Sequence, residues 1–451
     1  MLLTAVTGAL ATSVCGPPSR SRRDPPGPAC EKEVMSREET EGVIVGGGQA
    51  GIAMSEHLAA AGVPHVILER GRIAEKWRSG RWDSLVTNGP AWHDRFPGLE
   101  FDAAPDTFVP KEQVASYFEA YAKKIAAPVR CGVDVTSVRK HDARPGFTVE
   151  TSQGNLDARF VVAATGPFQR PVVPPIIPGA ADVEQFHSAD YRNPGQLPAG
   201  NVLVVGAGSS GVQIAAELQE PGRLVYLSVG PHDRPPRRYR GRDVVWWLGV
   251  LGQWEESTPV SGAEHVTIAV SGAMGGHTVD FRDLAARGIT LVGRTASFAD
   301  GTVRFEPDLR GNIAAGDANY LSLLDQADAY VALNGLDLRP EPEARALGPY
   351  PDCVTNPLLE LDLADAGVTS VIWATGYAND FGWLKVGALD KDGRPRHQRG
   401  VSSEPGVYFL GLPWLSRRAS SFIQGVWHDA RYIADQISIQ RGYAAYPDPG
   451  R

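Results

Sequence analysis

The amino-acid sequence predicts an α/β protein with two three-layer nucleotide-binding domains, the second inserted in the first. Glycine-rich turns occur in GVIVGGGQAG (42–51) and NVLVVGAGSSG (201–211), each after a β-rich apolar run and before a helix-like stretch. A strand that runs into an Ala-Thr-Gly turn is expected twice, over 158–166 and 368–376. One glycine turn alone is a weak signal, whereas two in this strand and helix context are a strong one.

The two glycine turns share one physical logic. The first glycine permits the tight turn, the second lets the backbone approach a pyrophosphate, and the third brings helix and strand together. The helix N-terminus then offers free N–H groups and a positive dipole end to the phosphates. Rossmann-like dinucleotide sites are therefore expected at both turns. Their residues are Gly46, Gly48, Gln49, Ala50 and Gly51 in the first, and Gly206, Gly208, Ser209, Ser210 and Gly211 in the second.

The residue near the end of the next strand separates the two sites. In the first domain it is Glu69, whose carboxylate suits the ribose hydroxyls of FAD. In the second it is Ser228, and four arginines follow, of which Arg237 and Arg238 are expected to pair with the 2′-phosphate of NADPH. The alternative is a single Rossmann site, a fortuitous glycine loop and a solvated basic segment.

Composition excludes several function classes. The formal net charge of −8 argues against a nucleic-acid partner, and no apolar run is long enough to form an integral membrane segment. The four cysteines form no CxxC pair, which disfavours a disulfide reductase and favours a reducing, cytoplasmic compartment. The histidines are dispersed, so no metal site is expected.

The order of the motifs predicts the domain boundaries. Residues 1–35 are expected to be a disordered extension, with an upstream-start artefact ahead of Met35 and a targeting peptide as alternatives. The FAD domain is expected to comprise 36–175 and 355–451, and the NADPH domain 176–354 with an insert over about 241–317. In that insert, the tryptophans 246, 247 and 254 either line a substrate channel or belong to a buried helix.

A resemblance to a known family rests on motifs that occur in the family's order. These are GGGQAG, WRSGRWDSL, TNGPAWHDRFPGLEF, FHSADYR, GAGSSG and ATGY. The chain resembles the class B flavoprotein monooxygenases, which include flavin-containing and plant-type indole-pyruvate monooxygenases. The segment that contains FHSADYR has Ile177 where the family fingerprint has Phe, and it ends in Arg192 rather than Trp, which weakens a Baeyer-Villiger assignment. Its His187 is expected to fix the hinge between domains.

The resemblance implies a reaction and further site residues. NADPH would reduce FAD, O2 would add to the flavin as a hydroperoxide, and one oxygen atom would pass to a small-molecule substrate such as an amine, sulfide or keto acid. Asn88 in TNGP is similar in position to the family's asparagine beside the flavin, although asparagine also commonly ends a turn. Further residues expected near the cofactors are Arg70, Trp77, Arg78, Thr165, Gly166, Thr375 and Gly376.

Two other functions remain open at this stage. An NADPH oxidase, or another FAD-dependent oxidoreductase that transfers no oxygen, would share both nucleotide domains. A non-catalytic redox sensor would use the nucleotide state to change a partner surface. The expected partners are a small-molecule substrate and O2, and a homodimer is compatible with the sequence.

Overall fold

A computed structural model of the chain describes residues 38–179, 181–257 and 268–446. The expected disordered extension, 1–35, lies outside these residues. The strands are β1 (Glu38–Val45), β2 (His65–Glu69), β3 (Val129–Cys131), β4 (Val135–Lys140), β5 (Phe147–Thr151), β6 (Gly154–Ala163), β7 (Arg170–Pro171), β8 (Glu184–His187), β9 (Asn201–Val205), β10 (Val225–Ser228), β11 (Arg238–Tyr239), β12 (Arg242–Asp243), β13 (Ile289–Val292), β14 (Thr295–Ala299), β15 (Thr302–Phe305), β16 (Glu360–Asp362), β17 (Val368–Trp373), β18 (Tyr377–Ala378), β19 (His397–Gln398), β20 (Val401–Ser402) and β21 (Val407–Phe409).

The described helices differ widely in length. They are α1 (Gln49–Ala60), α2 (Glu75–Arg78), α3 (Lys111–Lys124), α4 (Ser209–Gln219), α5 (Val244–Val250), α6 (Phe281–Ala286), α7 (Leu309–Asn334), α8 (Asp352–Thr355) and α9 (Ile423–Ala444). Short 3-10 helices span Pro194–Gln196, Gln253–Glu255, Ala273–Gly275, Pro342–Arg345 and Arg418–Ser421. No helix among the described residues is both long and apolar enough to cross a membrane.

The first sheet carries the first glycine turn. Its parallel part has the order β21, β6, β1, β2 and β3, and β1 pairs with β6 and β2 in register. An antiparallel extension through β5 and β4 continues from β6. The carboxyl-terminal ends of the central strands β1 and β6 are apolar because helices α1, α3 and α9 share one hydrophobic core with them.

The second sheet is parallel, with the order β13, β10, β9, β17 and β8. Along β9, Val202 and Val204 belong to a core shared with helices α4, α6 and α7. The alternate residues Leu203 and Val205 belong to a separate core shared with β15 and β16, in a small antiparallel sheet completed by β14. A strand with apolar residues on both faces thus separates two layers, which confirms the predicted three-layer α/β class.

The pairing of strands in the second sheet bears on two of the predicted boundaries. The return to the first domain was expected at residue 355, but β17 pairs with β9 through Ile372 and Val204, so the second domain extends past residue 373. The predicted insert, 241–317, is not separate from that domain either. It contains β13, the edge strand that pairs with β10, and the first turns of α7. The apolar run of β17 is explained by its place between two strands of the second sheet.

Candidate active site

The first glycine turn joins β1 to α1 and leaves open space where a phosphate would lie. Gly46 has φ +113°, a conformation that glycine adopts without strain. A Cβ at Gly51 would overlap the carbonyl oxygen of Gly46, so the helix requires a glycine to approach the turn this closely. A Cβ at Gly48, which precedes the first residue of α1, would meet no atom within 4 Å. The turn therefore fits a dinucleotide pyrophosphate at the helix N-terminus.

Glu69, the last residue of β2, lies directly beside this turn. Its Oε2 accepts a hydrogen bond from the Gly47 amide over 2.6 Å, and its Oε1 accepts one from the Gly71 amide over 2.7 Å. The two amides fix the plane of the carboxylate, and each oxygen keeps a lone pair for another donor. A fixed acceptor at the end of the second strand is the arrangement that holds a ribose.

The second glycine turn repeats the geometry of the first. Gly206 has φ +112°, a Cβ at Gly211 would overlap the Gly206 carbonyl oxygen, and a Cβ at Gly208 would meet no atom within 4 Å. Ser209 begins α4 and donates its hydroxyl to the Ile268 carbonyl over 2.8 Å. Both turns thus have the same open space in front of the helix N-terminus.

Each Ala-Thr-Gly turn packs against a glycine turn. A Cβ at Gly46 would lie 2.6 Å from the Ala164 carbonyl oxygen, and one at Gly206 would lie 2.5 Å from that of Ala374. Gly166 and Gly376 have φ of +70° and +81° and border open space. The adjacent threonine hydroxyls are occupied, since Thr165 accepts a hydrogen bond from Gln169 and Thr375 donates one to the Val172 carbonyl.

The arrangement around the predicted 2′-phosphate site differs from expectation. Ser228 is buried, and its hydroxyl donates to the Gly293 carbonyl over 2.9 Å and accepts from Thr295. Arg237 is 2% exposed and forms an ion pair with Asp243, so its guanidinium is already neutralised inside the protein. The serine expected to leave room for the 2′-phosphate and the buried arginine expected to pair with it are thus both engaged by protein groups, and of the three predicted residues only Arg238 is exposed.

Sequence reasoning missed a second arginine near the end of β10. Arg294 follows β13, the neighbour of β10, and a Cβ built on Gly230 would lie 3.3 Å from its Cγ. Its side chain is 58% exposed and pairs with Asp308 over 2.7 Å. The only sequence signal for it is the position after a strand, because the pairing of β13 with β10 is not visible in the sequence.

A loop over residues 79–110, here called the bridging loop, packs against both domains. Trp82 and Leu85 are buried in the core of the second domain, whereas Phe96 and Val109 are buried in that of the first. Trp77, just before the loop, packs against both cores. Both hydrophobic cores therefore hold this loop in place.

The other predicted residues beside the first turn have mixed roles. Gln49 donates to the Ser421 carbonyl over 2.8 Å, which ties α1 to the segment that leads into α9. Ala50 is buried, and Arg70 is exposed. Arg78 pairs with Glu119 on α3 over 2.6 Å. Of the two predicted arginines, Arg70 and Arg78, only Arg78 pairs with a carboxylate among the described residues.

Asn88 is held by residues of the second domain. Its side-chain oxygen accepts a hydrogen bond from Gln213 Nε2 on α4 over 3.1 Å, and its carbonyl accepts one from Arg237 Nη1 over 2.6 Å. Gln213 Nε2 also donates to the Val270 carbonyl over 3.0 Å. Because a carbonyl accepts only, this contact fixes the orientation of the Gln213 amide and, through it, that of the Asn88 amide.

A cavity of about 150 Å³, here called the Asn88 cavity, begins at this residue. The bridging loop, α5, α7 and the segment before α9 all contribute to its wall. The lining residues are Asn88, Gly89, His93, Asp94, Asp233, Pro235, Val244, Val245, Leu248, Gln253, Trp254, Ile268, Val270, Asn319, Ser322, Leu323, Gln326, Arg418 and Phe422. About half of these side chains are apolar and about half are polar or charged, a mixture that suits a small molecule with both kinds of group.

Four ionisable residues, His93, Asp94, Asp233 and Arg418, give the cavity its electrostatic character. Burial raises the pKa of the Asp233 carboxyl, against the opposing charge of Arg418. Asp94 is hydrogen-bonded to the Gly89 amide and to His93. None of these residues was singled out as a cavity residue from sequence, because the loop that carries Asp94 has no periodic pattern and the chain segments meet only in the fold.

The three tryptophans of the predicted insert have different roles. Trp247 is fully buried in a core with Tyr239 and Tyr320, and Trp246 packs on its edge, as expected for the buried-helix alternative. Trp254 lines the Asn88 cavity, as expected for the channel alternative, and its ring lies 5.1 Å from Phe422.

His187 lies where β8 and β17 end side by side. Its Nδ1 accepts a hydrogen bond from the Ala189 amide, so its Nε2 donates to the Gly376 carbonyl over 3.0 Å. Burial lowers the pKa of this imidazole, which favours the neutral form that these two contacts require. These contacts are those of a structural residue at the hinge.

Known proteins similar to this chain cover most of its length. Residues 43–240 match the family model described as pyridine nucleotide-disulphide oxidoreductase. An uncharacterized CzcO-like oxidoreductase of Geobacillus kaustophilus is 34% identical over 401 residues, which span 88% of this chain and 97% of that protein. The indole-3-pyruvate monooxygenase YUCCA1 of Oryza sativa is 34% identical over 198 residues, 42% of this chain and 48% of the plant protein.

The solved structures give the same architecture. A flavin-containing monooxygenase from Stenotrophomonas maltophilia matches with a TM-score of 0.62 at 21% identity, covering 90% of this chain and 100% of that one. The four cysteines of the sequence form no CxxC pair. By its relatives, its two nested nucleotide domains and its motif order, the chain belongs to the class B flavoprotein monooxygenase family.

Proposed function

We propose that this protein is an FAD-dependent, NADPH-consuming monooxygenase that transfers one oxygen atom from O2 to a small molecule in the Asn88 cavity. The observation that carries this proposal is the position of the cavity. It begins at Asn88, in the loop fixed between the two nucleotide domains, and residues of both domains line it. A substrate held there would lie at the junction of the domains, where the two cofactors must exchange electrons.

The chain's own residues would hold and separate the two dinucleotides. Gly46, Gly48 and Gly51 would receive the FAD pyrophosphate, and Glu69 would accept hydrogen bonds from the ribose hydroxyls. Gly206, Gly208 and Gly211 would do the same for the NADPH pyrophosphate. When bound, FAD reduced by NADPH supplies the electrons that activate O2.

The preference for NADPH would rest on arginines other than Arg237. Arg294 is our main candidate for the 2′-phosphate, because it lies beside Gly230 at the carboxyl end of β10. Arg238 is the second candidate because it is exposed. Guanidinium groups pair with phosphate in bidentate fashion, and the mostly exposed ion pair of Arg294 with Asp308 is weak enough to be exchanged for it.

Asn88 and the cavity wall would prepare the oxygen transfer. Gln213 occupies the side-chain oxygen of Asn88, so the Nδ2 hydrogens remain as donors that can hold a reactive oxygen. The apolar part of the wall, which includes Val245, Leu323 and Trp254, would exclude water and bind the body of the substrate. A soft nucleophile or an activated carbon, as in an amine, a sulfide or a keto acid, fits this environment.

Product analysis with labelled dioxygen tests the proposal. The FAD-loaded protein is incubated with NADPH, ¹⁸O₂ and a panel of amines, sulfides and keto acids, and products are examined by mass spectrometry. A monooxygenase places one ¹⁸O atom in a product. If one hydrogen peroxide forms for every NADPH oxidised, the protein is an oxidase. If no compound changes the rate of NADPH consumption, the result supports the redox-sensor alternative.

A cavity-filling variant locates the substrate. Asn319 lines the cavity on α7, and Ala318 is its exposed neighbour outside the cavity. Asn319→Trp should abolish ¹⁸O incorporation while FAD reduction by NADPH continues. Ala318→Trp, the matched control, should leave both reactions intact. Equal ¹⁸O incorporation in the two variants would exclude this cavity as the substrate site.

A further inference from the structure

We propose that His93 is the proton acceptor of the Asn88 cavity, and that Asp94 is the positioning residue that fixes its tautomer. The inference rests on the proposed function only in that it takes the cavity as the ligand site. Both residues belong to the bridging loop and have no role in the function proposed above.

Asp94 joins His93 to the backbone next to Asn88. One carboxylate oxygen of Asp94 accepts a hydrogen bond from the Gly89 amide over 3.1 Å, and the other contacts His93 Nδ1 over 2.8 Å. A Cβ at Gly89 would overlap the Asp94 carboxylate. Glycine at this position is therefore what allows the carboxylate to approach the turn closely.

The contact with Asp94 determines which nitrogen of His93 carries the proton. A carboxylate only accepts, so Nδ1 carries the hydrogen and Nε2 of the neutral ring keeps a free lone pair. Across residues 38–179, 181–257 and 268–446, Nε2 has no hydrogen-bond partner, and His93 lines the cavity. The side chain is 10% exposed, so the lone pair is largely shielded from bulk water.

Two tryptophans hold the ring in place. The Trp254 ring lies 5.4 Å from the His93 ring with an interplanar angle of 30°, and Trp92 contacts His93 edge-on at 5.4 Å. The other charged groups of the cavity wall are Asp233 and Arg418. Trp254 belongs to a short 3-10 helix whose Glu255 forms an ion pair with Arg417.

This geometry suits one defined proton transfer. An ammonium nitrogen or a C–H carbon has no free electron pair, so it must lose a proton before it can attack oxygen, and a thiol attacks much better as the thiolate. The bond from that atom to hydrogen breaks, the electron pair stays on the ligand atom, and the proton forms a bond with His93 Nε2. The resulting imidazolium is balanced by the Asp94 carboxylate, and the proton is later released to solvent. No electron changes hands in this step.

Nuclear magnetic resonance of the FAD-loaded protein with ¹⁵N-labelled histidine tests the tautomer without turnover. His93→Gln identifies the signal among the ten histidines. We expect the neutral ring to be the Nδ1–H tautomer in the wild type and a mixture of tautomers in Asp94→Asn. The matched control is His141, whose Nε2 lies 3.1 Å from Asp157 outside the cavity. The Asp94 variant should leave the His141 signal unchanged. An Nε2–H tautomer in the wild type, or no change in Asp94→Asn, would overturn the proposal.

Kinetics on two substrate types test the proton transfer itself. For a thiol or an ammonium substrate, His93→Gln should lower kcat/KM about 10²- to 10⁴-fold. For a dialkyl sulfide, which has no proton to lose, the loss should be much smaller. An equal loss on both types would mean that His93 only shapes the cavity. Because the tautomer is measured without turnover, failure of this inference is distinguishable from failure of the proposed function.

Discussion

Gln213 on α4 donates a hydrogen bond to the side-chain oxygen of Asn88 in the bridging loop, over 3.1 Å. The contact joins the helix of the second glycine turn to the residue proposed to hold reactive oxygen. It also orients the amide, because Gln213 donates at the same time to the Val270 carbonyl. The position of Asn88 therefore depends on the NADPH domain as well as on its own loop.

Replacement of Asn88 should uncouple NADPH oxidation from oxygen transfer. Asn88→Leu removes the Nδ2 donor but keeps a side chain of similar size. Loss of one such donor commonly costs about 10²- to 10³-fold in the step that it serves. We expect FAD binding and flavin reduction to stay nearly intact, while the hydrogen peroxide released per NADPH rises. Equal peroxide yields in wild type and variant would reduce Asn88 to a turn residue.

Gln213→Glu tests the orientation of the same amide from outside the cavity. The carboxylate would face two acceptors, the Asn88 oxygen and the Val270 carbonyl, and would turn the Asn88 amide around. Peroxide release should rise in this variant although Asn88 is unchanged. Gln213→Met, which neither donates nor repels, should have a smaller effect.

Flavin retention should depend on both oxygens of Glu69. Each accepts a hydrogen bond from a backbone amide, at Gly47 and Gly71. Glu69→Ala removes the acceptor for the ribose and should weaken FAD binding by about 1 to 3 kcal/mol, or roughly tenfold to hundredfold. Glu69→Gln should also weaken it, because its NH₂ group would face one of the amides. Titration of the apoprotein with FAD measures both, and unchanged affinity would refute the ribose assignment.

Selectivity for NADPH should fall when Arg294 is replaced. A charge-assisted hydrogen bond contributes about 1.5 to 3 kcal/mol, so Arg294→Ala should reduce the ratio of kcat/KM for NADPH over NADH roughly tenfold to hundredfold. Arg238→Ala tests the exposed alternative. Arg237→Ala is uninformative here, because it leaves Asp243 buried without its partner. A ratio that is unchanged in both Arg294→Ala and Arg238→Ala would place the phosphate elsewhere.

Stability at low pH should depend on Asp317, which lies between Arg234 and Arg282 inside the second domain. Burial alone would raise the pKa of its carboxyl, but hydrogen bonds from Arg282 and Arg234 outweigh it and hold the pKa below the ordinary 3.8. The carboxylate therefore stabilises the fold at neutral pH. This contribution is lost as the pH falls below 3.8 and through the lower pKa of the folded state.

Asp317→Asn should lower the free energy of unfolding by about 3 to 5 kcal/mol at neutral pH, because two buried guanidinium groups lose their nearest counter-charge and keep only the more distant Asp280. The matched control is Asp325→Asn on the same helix, whose carboxylate is 68% exposed and pairs with Arg345. A surface pair of this kind contributes about 0 to 1 kcal/mol. Denaturant unfolding of both variants at neutral and acidic pH measures the difference, and equal losses would contradict the prediction.

The sequence was informative where one short segment carries the whole geometry. Each glycine motif spans a strand, a turn and the start of a helix in one short segment. The close approach of Gly51 to Gly46 and the open space at Gly48 therefore follow from the spacing of the glycines alone. Glu69 was predictable for the same reason, since the strand that it ends is the next one along the chain.

Features that need two distant segments were missed or misplaced. Arg237 follows the correct strand, but it pairs with Asp243 across the turn between β11 and β12 and donates to the Asn88 carbonyl of the distant bridging loop. The boundary predicted at residue 355 comes before β17, which pairs with β9. No local sequence pattern indicates which strand β17 pairs with. The Asn88 cavity is the extreme case, since segments from the bridging loop to Phe422 meet there.

The position of β17 between β9 and β8 has a consequence for synthesis. Within the described part of the chain, strand β8 pairs only with β17 in its sheet, and β9 keeps an open edge until residue 373 has left the ribosome. Exposed edges of this kind invite pairing with other chains. The nascent protein should therefore need chaperone protection over most of its translation, and a fragment ending near residue 355 should aggregate instead of yielding an autonomous NADPH domain.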